Sequence, residues 1–588
     1  MARYKPRHLV PPDRSPPPPM GDPPGQGTEL AGRPHRAHGR HVRRRRLAAR
    51  AFGLFALAAM GVSIGGAVAK SGTPAPRPST GAETEPSVTT PATVVSGQPG
   101  NTSQVSAARQ AENNLPGSAG WHLTNRADNH EIEGYANATS VSRGDALTLY
   151  VSTVAPTFHV EVFRMGYYQG LGGRLVQVSP ETTGSHQAPA VFTSVINMVE
   201  APWTPSLSLS TRAWPEGDYL LKLVASTGQQ RYVPLTVRND ASTASVVVVN
   251  AVTTWQAYNL WGGYDLYEGR NGNVSDYNHR SRKVSFDRPY TIGDGAGDFL
   301  GLEYPLVSLV ESLGLDVTYM TDIDLQQSPN SLLAHRAVIT LGHDEYYSLV
   351  MRQALEQARD QGVNLAFLGA NAVFRHIRLE PSPRGADRRE VDYKSQREDP
   401  LSGTDNADVT VDWRDPPNNN PESQLIGDFY QCNPVRAAMV VVDPDNWLFA
   451  GSGATAGQKL PDVVGSEYDR YDPTVPGPAN VEILTHSPLR CHGNADFSDA
   501  TYYSAPSGAG VFAAGTIDWV GHIDTHCLPD NCAGRVLGKV MENLLTVFAA
   551  GPAGSVHPSD PAQSSVKSRP PVTTTVPTTG TGSGSATP

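Results

Sequence analysis

The sequence lacks the short motifs that mark several common enzyme classes. It has no HExxH pair of a zinc protease and no GxxxxGK[ST] phosphate loop. In the region that reads as alternating strands and helices, no GxSxG turn follows a strand and no GxGxxG opens the first helix. A His-x-Glu pair is present at 343–345, but no PCxxC follows to complete a zinc deaminase signature. These absences argue against phosphate-loop, dinucleotide, serine-elbow and zinc-deaminase chemistry.

Cysteine is also scarce, with four residues in 588, namely Cys432, Cys491, Cys527 and Cys532. Their spacing does not give the two CxxC-like pairs of a zinc finger, and none follows a strand–turn–helix as a nucleophile would. An even number of cysteines is typical of disulfide-bonded exported proteins. Four cysteines allow three pairings, of which we favour Cys432–Cys491 with Cys527–Cys532.

A net positive charge is found only at the start of the chain. Residues 1–50 contain 12 Lys or Arg against 3 Asp or Glu, a net of +9. Because the whole chain carries −10, residues 51–588 carry −19. An acidic body repels the phosphate backbone, so the sequence argues against a nucleic-acid partner.

The chain has a long uncharged run at 51–69, directly after a basic cluster that contains Arg43–Arg46. Nineteen residues in a helix nearly span a hydrocarbon core of about 30 Å. The sequence therefore predicts a membrane helix over 47–69, with the basic side in the cytoplasm and the body outside it. We expect a single-pass protein of the cell membrane. The alternative is a cleaved signal peptide, because Ala67–Ala69 has the small-x-small form of a cleavage site.

Composition divides the chain into six segments. The ends are rich in Pro, Gly, Ser and Thr, which favours disorder or extended linkers, whereas the middle has readable apolar patterns. The predicted segments are a disordered basic head (1–46), a membrane anchor or signal segment (47–69), a Pro/Ser/Thr-rich linker (70–118), an immunoglobulin-like β-sandwich (119–240), an α/β domain (241–552) and a disordered tail (553–588).

The two predicted domains differ in their apolar periodicity. In the first, Ala146–Val151 and Phe158–Phe163 alternate between apolar and polar residues, as half-buried strands do. In the second, Ser245–Val249 is a continuous β-branched run, typical of a strand buried on both faces. Later segments alternate between strand and helix patterns, which predicts a doubly wound α/β sheet. The polar stretch 372–424 is interpreted as a loop excursion over the site.

Polar residues follow three of the predicted strands of this sheet. They occur at 254–263, at 342–348 and at 369–371, and ligands of open α/β sheets collect at such strand ends. His343 and Glu345 could bind a metal or act as a base and its partner. The alternative is that the acid at 344 or 345 only caps the helix that begins near Ser348. The cluster as a whole favours a functional site, because a cap does not need His, Asp, Glu and two Tyr together.

Several motifs occur in an order that resembles the large (beta) subunit of N,N-dimethylformamidase. The match covers roughly residues 120–550, and the α/β part of that family is similar to class I glutamine amidotransferases. These motifs are FRMGYYQGLGGR, WQAYNLWGG, RSRKVSFDRPY, LGLDVTYMTDIDL, GHDEYYS, GVNLAFLGAN, VGSEYDRY and GVFAAGTIDW. The resemblance implies a mononuclear iron, held by two tyrosinates and one glutamate, that hydrolyses an amide.

The same resemblance assigns roles to particular residues. Glu345 matches the carboxylate ligand, Tyr258 is a candidate tyrosinate, and His343 is a polar partner beside the metal. Asn371 is a candidate for orienting the substrate, and Glu467 is a further acid near the pocket. No motif identifies the second tyrosinate, for which the candidates are Tyr264, Tyr304 and Tyr219.

Two functions remain open from the sequence. The first is a metal-dependent hydrolase of a small non-peptide amide in the cell envelope. The second is a non-catalytic envelope binding or scaffold protein, whose aromatic loop at 255–267 would stack on a glycan.

Overall fold

Strands dominate the part of the chain that the structure describes. The computed structural model describes residues 106–269, 277–523 and 533–562. Strands make up 36% of these residues, and helices, counting short single turns, make up 24%. The strands form six separate sheets within this part of the chain.

The first region runs to residue 240 and is almost entirely β. Its one α-helix is α1 (Ala107–Asn113), which begins at Ser106, whose hydroxyl accepts a hydrogen bond from the backbone N–H of Arg109. The strands of this region are β1 (Ile132–Ala136), β2 (Ser140–Ser142), β3 (Ala146–Thr153), β4 (Thr157–Met165), β5 (Gly173–Val178), β6 (Thr182–Thr183), β7 (Val191–Thr193), β8 (Met198–Glu200), β9 (Leu207–Ser210), β10 (Gly217–Ala225) and β11 (Gln230–Arg238).

Two of the sheets in this region enclose a common apolar core. One has the order β1-β3-β9, and the other has the order β2-β11-β10-β4-β5 with β6 paired to β4. The alternating strands β3 and β4 send every second side chain inward, as the period of two predicts. Trp214 and Tyr219 are the largest side chains in this core.

The second region begins at residue 244 and contains the remaining strands and helices. The helices are α2 (Val252–Ala257), α3 (Tyr304–Ser312), α4 (Asp322–Gln327), α5 (Leu349–Asp360), α6 (Ser423–Ile426), α7 (Ala533–Ala550) and α8 (Ala553–Val556). The strands are β12 (Val246–Asn250), β13 (Lys283–Ser285), β14 (Val317–Thr321), β15 (Ala337–Gly342), β16 (Tyr346–Ser348), β17 (Asn364–Gly369), β18 (Arg375–Ser382), β19 (Gly385–Val391), β20 (Phe429–Val440), β21 (Lys459–Arg470), β22 (Glu482–Cys491), β23 (Asn494–Ser504) and β24 (Gly510–Ala513).

The largest sheet positions the ends of three central strands side by side. Its order is β14-β12-β15-β17-β24-β23-β22, and the first five strands run parallel. β12, β15 and β17 are buried along their whole length, which explains why their sequences are continuous apolar runs. In the register, Gly342 lies opposite Gly369, so β15 and β17 end at the same level.

The prediction of a doubly wound α/β sheet is wrong. Strand and helix alternate as far as β17, but the long stretch between β17 and β24 supplies antiparallel strands instead of crossover helices. The polar stretch 372–424, interpreted as a loop, contains β18 and β19. Antiparallel strands with one face exposed to solvent do not contain long runs of apolar residues. The sequence of this stretch is therefore hard to distinguish from that of a loop. The likeness to glutamine amidotransferases is not shown.

The predicted membrane helix at 47–69 lies outside the described residues. Within the part of the chain that the structure describes, no helix is both long enough and apolar enough to cross a bilayer. The described residues therefore do not support the predicted single-pass membrane protein.

The structure describes only part of the segments that were predicted as head, linker and tail. The disordered head lies outside the described residues, but α1 falls within the predicted linker 70–118 and α8 within the predicted tail 553–588. The pair Cys432–Cys491 is disulfide-bonded, as favoured. The pair Cys527–Cys532 lies outside the described residues.

A buried ion network joins the two regions at Glu311 of α3. Its carboxylate accepts hydrogen bonds from Arg164 Nη2 of β4 at 2.7 Å and from Arg109 Nη1 of α1 at 3.0 Å. Tyr319 Oη of β14 donates to the same carboxylate at 2.6 Å. The side chains of Arg164 and Glu311 are fully buried. Burial acts to raise the pKa of Glu311, but the charges of Arg164 and Arg109 hold it below its usual value.

The variant Glu311→Gln should therefore destabilise the protein strongly, because it leaves the fully buried guanidinium group of Arg164 without its counter-charge and leaves Arg109 paired with Glu216 alone. We expect its free energy of unfolding, from urea denaturation, to fall by about 3–5 kcal/mol. Glu542→Gln is the matched control, since it breaks the exposed pair with Lys539 and should cost about 0–1 kcal/mol. Equal losses for both variants would contradict this account.

Candidate functional site

Two close backbone approaches occur at the edge of the seven-stranded sheet where the parallel strands have their carboxyl ends. β15 ends at Gly342, whose φ of +54° lies in the left-handed region that glycine favours. A Cβ at this position would lie 2.6 Å from the backbone oxygen of Leu302, so a larger residue does not fit. A Cβ at Gly369 would lie 1.7 Å from the carbonyl oxygen of Gly342. The ends of β15 and β17 therefore lie close together.

Glu345 forms the centre of this meeting point, together with two tyrosines. The carboxylate is buried, and its Oε2 lies 2.7 Å from Tyr258 Oη, at the C-terminal end of α2. Its Oε1 lies 3.0 Å from the hydroxyl of Tyr267 in the following loop. The two phenol oxygens are 2.9 Å apart, and their rings stack with centroids 4.7 Å apart. Three oxygen-bearing side chains from three chain segments, each a potential metal ligand, thus lie within hydrogen-bond distance of one another.

Two cationic side chains, Arg375 and Lys394, lie beside this carboxylate–tyrosine group. Arg375 Nε lies 3.3 Å from Glu345 Oε1, and the same guanidinium pairs with Asp412. Lys394 Nζ donates to Tyr346 Oη at 2.7 Å, and Tyr346 Oη donates to the hydroxyl of Tyr267 at 2.6 Å. The Lys394 ammonium also lies 3.8 Å from the centroid of the Tyr267 ring. The positive charges offset the buried carboxylate.

The electrostatics of the site keep the acid ionised and the phenols neutral. Burial acts to raise the pKa of Glu345, but the hydrogen bond and charge of His343, with Arg375 and Lys394, lower it to about 2. Burial, followed by the negative charge of Glu345, raises the pKa of both Tyr258 and Tyr267 well above the usual value. Without a cation, the phenols therefore keep their protons and donate toward the carboxylate.

His343 lies beside the carboxylate of Glu345, and two further acids, Glu467 and Asp298, influence its charge. Its Nε2 lies 3.3 Å from Glu345 Oε2. Burial acts to lower the pKa of His343, but the hydrogen bond to Glu345 and the charges of Glu467 and Asp298 raise it above 6.5. The imidazole is therefore held toward its protonated form, in which both ring nitrogens donate.

Asn371 and Glu467 form a second polar pair beside the first group. Asn371 Nδ2 donates to Glu467 Oε2 at 2.9 Å, and Asn433 Nδ2 donates to the other oxygen at 3.0 Å. The backbone N–H of Asn371 donates to Asp469 Oδ1 at 2.7 Å, which fixes this residue at a φ of +58°. Asn371 Oδ1 is buried and has no partner among the described residues.

The donor set fits a hard metal cation. Carboxylate and phenolate oxygens are hard ligands, and the three oxygens are already close enough to share one ion. Within the described residues, the one group of three His, Cys, Asp or Glu ligand atoms within 4.8 Å of one another is Cys432, Cys491 and His492. The cysteines of that group are disulfide-bonded, so they provide no thiolate ligands.

The five residues proposed from the sequence lie in this one region, and a sixth was missed. Tyr267, nine residues after Tyr258, has its hydroxyl 3.0 Å from Glu345 Oε1 and was not among the candidates for the second tyrosinate. The three tyrosines proposed for that role contact other groups. Tyr264 packs against Phe192 with the two rings tilted, Tyr304 donates to the carbonyls of Gly166 and Gly172, and Tyr219 donates to that of Pro215.

The two tryptophans of the segment 255–267, which was interpreted as a stacking platform for a glycan, are buried. Trp255 and Trp261 are each only 7% exposed, which leaves little ring surface for a sugar. Trp255 Nε1 donates to Glu303 Oε1 at 2.9 Å, and Trp261 Nε1 donates to Glu133 Oε2 at 3.0 Å. Both indoles are thus fixed inside the protein.

Fold and site together define a mostly β protein with a buried carboxylate–tyrosine cluster at the ends of parallel strands. Residues 159–533 match the family described as N,N-dimethylformamidase beta subunit-like, C-terminal. Since the match covers more than half of the 588 residues, the chain belongs to this family.

Other comparisons add little. No curated protein is similar enough in sequence to count as a match. One solved structure is a Paenibacillus sp. cycloisomaltooligosaccharide glucanotransferase complexed with cycloisomaltoheptaose. It is 9% identical, with 44% of this chain and 33% of that chain covered and a TM-score of 0.14. This chain spans about a third of that protein, and so low a TM-score carries no argument.

The pKa of His343 tests the electrostatics of the site. In chelator-treated protein, an NMR titration should place this pKa above 6.5. The stabilisation from the imidazolium is then complete below the unfolded pKa of about 6.5 and is lost as the pH rises through the folded-state pKa. In Glu345→Gln, burial should prevail and the pKa should fall. An unchanged pKa in that variant, or a shift as large in the control Glu356→Gln, would contradict this.

Proposed function

We propose that this protein is a metal-dependent hydrolase of a small non-peptide amide, with Tyr258, Tyr267 and Glu345 as the metal ligands. The observation that carries the proposal is the closeness of the two phenol oxygens to each other and to the Glu345 carboxylate, with shortest distances from 2.7 to 3.0 Å. Membership of the dimethylformamidase beta subunit-like family supports the reaction class. Iron is the metal that the family resemblance implies.

The chemistry of the ligands agrees with this assignment. When bound, such a cation acts as a Lewis acid that polarises a carbonyl group and lowers the pKa of water. Tyr258 and Tyr267 would hold the cation as phenolates, so that two buried neutral hydroxyls would become two anionic ligands. Arg375 and Lys394, both close to the ligands, offset part of that added negative charge.

Three further residues can handle protons and orientation. Glu467 is held by the amides of Asn371 and Asn433, so its carboxylate is fixed in place to accept a proton from water. His343, with a raised pKa, can donate a proton to the leaving nitrogen. Asn371 Oδ1, which lacks a partner among the described residues, can accept a hydrogen bond from a substrate or a water.

Metal analysis of the purified full chain tests the ligand assignment. We expect one metal ion per chain in the wild type, and at least tenfold weaker metal binding in Tyr267→Phe, because that change removes one ligand oxygen. Tyr264→Phe is the matched control in the same loop and should keep the metal. A wild type without metal, or equal binding by the two variants, would contradict the assignment.

The role of Glu467 can be separated from metal binding. On a panel of small N-alkyl formamides and acetamides, Glu467→Gln should keep its metal but lose kcat by about 10²–10⁴-fold, as expected for a lost general base. Glu356→Gln, a change at a half-buried position of α5 outside the site, should leave kcat unaltered. Full activity of Glu467→Gln would exclude this residue as the base, and no hydrolysis of any amide by the metal-loaded wild type would exclude the proposed function.

A further inference from the structure

A second cluster of reactive side chains lies at the hairpin between β22 and β23. We call it the disulfide cluster and define it by Cys432, Cys491 and His492. A ring nitrogen of His492 lies within 4.8 Å of both sulfur atoms, which are bonded to each other. Cys491 is the last residue of β22, the edge strand of the seven-stranded sheet, and His492 follows in the turn to β23. The disulfide therefore joins an edge of this sheet to β20.

The three side chains differ in their exposure to solvent. Cys491 is buried, Cys432 is half-buried and His492 is exposed. A thiolate from outside therefore reaches the sulfur of Cys432 more readily than that of Cys491. An imidazole next to a leaving thiolate can donate a proton to it, and a positive charge beside a cysteine lowers its pKa, which makes it a better leaving group. This combination suits a disulfide that exchanges with thiols.

The disulfide also lies directly beside a residue of the candidate site. Cys432 precedes Asn433, whose Nδ2 donates to Glu467 Oε1 at 3.0 Å. The pairing of β20 with β21 shifts its register between Cys432 and Val435, so Asn433 lies in an irregular stretch opposite Glu467. Residues at such irregularities are not held by the regular ladder of backbone hydrogen bonds. The position of Asn433 therefore depends on the covalent bond at the preceding residue.

We propose that the disulfide cluster exchanges with a dithiol, and that its reduction lowers the activity of the candidate site. A thiolate of the dithiol attacks Cys432 Sγ, the S–S bond breaks, and Cys491 leaves and takes a proton from His492. The second thiol of the dithiol then attacks the mixed disulfide and releases Cys432. The dithiol is oxidised to a disulfide, and its two protons pass, through solvent and His492, to the two cysteines.

Reduction would act on the orientation of Glu467. Without the bond between β20 and β22, Asn433 is no longer fixed against this carboxylate, which then keeps only the amide of Asn371. The three proposed metal ligands belong to other segments and should keep their positions. The effect on activity rests on the proposed function, whereas the exchange reaction and the loosening of β20 do not.

Differential alkylation with mass spectrometry tests the exchange step. We expect dithiothreitol to reduce the Cys432–Cys491 bond in the folded full chain, without denaturant. In His492→Gln the reduction at neutral pH should be slower by about threefold or more, because the leaving thiolate loses its proton donor. His186→Gln is the matched control, since His186 is an exposed histidine of the first region. A disulfide that resists reduction until the chain unfolds, or equal rates in the two variants, would overturn the exchange site.

Hydrogen exchange, measured by mass spectrometry, tests the loosening of β20 without any assay of activity. Reduction should speed amide exchange in a peptide that covers residues 429–436, whereas the buried strand β17 should be unaffected. Cys491→Ser cannot form the disulfide and should show the same faster exchange without a reductant. Unchanged exchange in 429–436 after complete reduction would overturn the coupling.

Kinetics separate this inference from the proposed function. On an amide that the oxidised wild type hydrolyses, Cys491→Ser should lose kcat about tenfold with its metal content unchanged, as expected for a lost hydrogen bond to a charged group. Dithiothreitol should lower the kcat of the wild type equally but not that of Cys491→Ser, which excludes an effect of the reductant on the metal. Asn433→Ala should lose about as much and respond no further to reduction.

Two results would have different meanings. Wild-type kcat that is unaltered by complete reduction would overturn the regulation while leaving the hydrolase intact. An oxidised wild type that hydrolyses no amide would contradict the proposed function, and the alkylation and hydrogen-exchange results would then decide the remaining part of this inference.

Discussion

The burial of one negative charge, that of Glu345, is the constraint on which the site depends. A carboxylate without solvent is costly unless nearby cations and donors compensate it. The chain provides the charges of His343 and Arg375 and the hydroxyls of Tyr258 and Tyr267. Under the proposed function, an ionised acid held between two neutral phenols would gain from a bound cation, because the cation would replace two phenolic protons and bind the phenol and carboxylate oxygens together.

The central sheet makes this arrangement possible. The donors come from loops after different strands, and parallel neighbours end at the same edge. The tight approach at Gly342 and Gly369 brings the loops close, at positions where a side chain would collide with the backbone. Loops on this edge are thus positioned by rigid, fully buried strands.

The sequence allowed the local elements and most of the site to be predicted, but not the architecture. The β-branched run Ser245–Val249 correctly predicted β12, and the side chains after the strands of this sheet lie close together, as expected. The antiparallel strands β18 and β19 were missed because half-exposed strands have no apolar run. Tyr267 was missed because loop geometry, not periodicity, brings it to Glu345. The membrane helix rested on a run of apolar residues outside the described part of the chain.

An anomalous-difference map at the absorption edge of the bound metal, from crystals of the full chain, tests the central claim most directly. Our account predicts one peak within coordination distance of the Tyr258 and Tyr267 hydroxyl oxygens and the Glu345 carboxylate. A peak at another group of side chains, or no peak in crystals grown with iron, would contradict it.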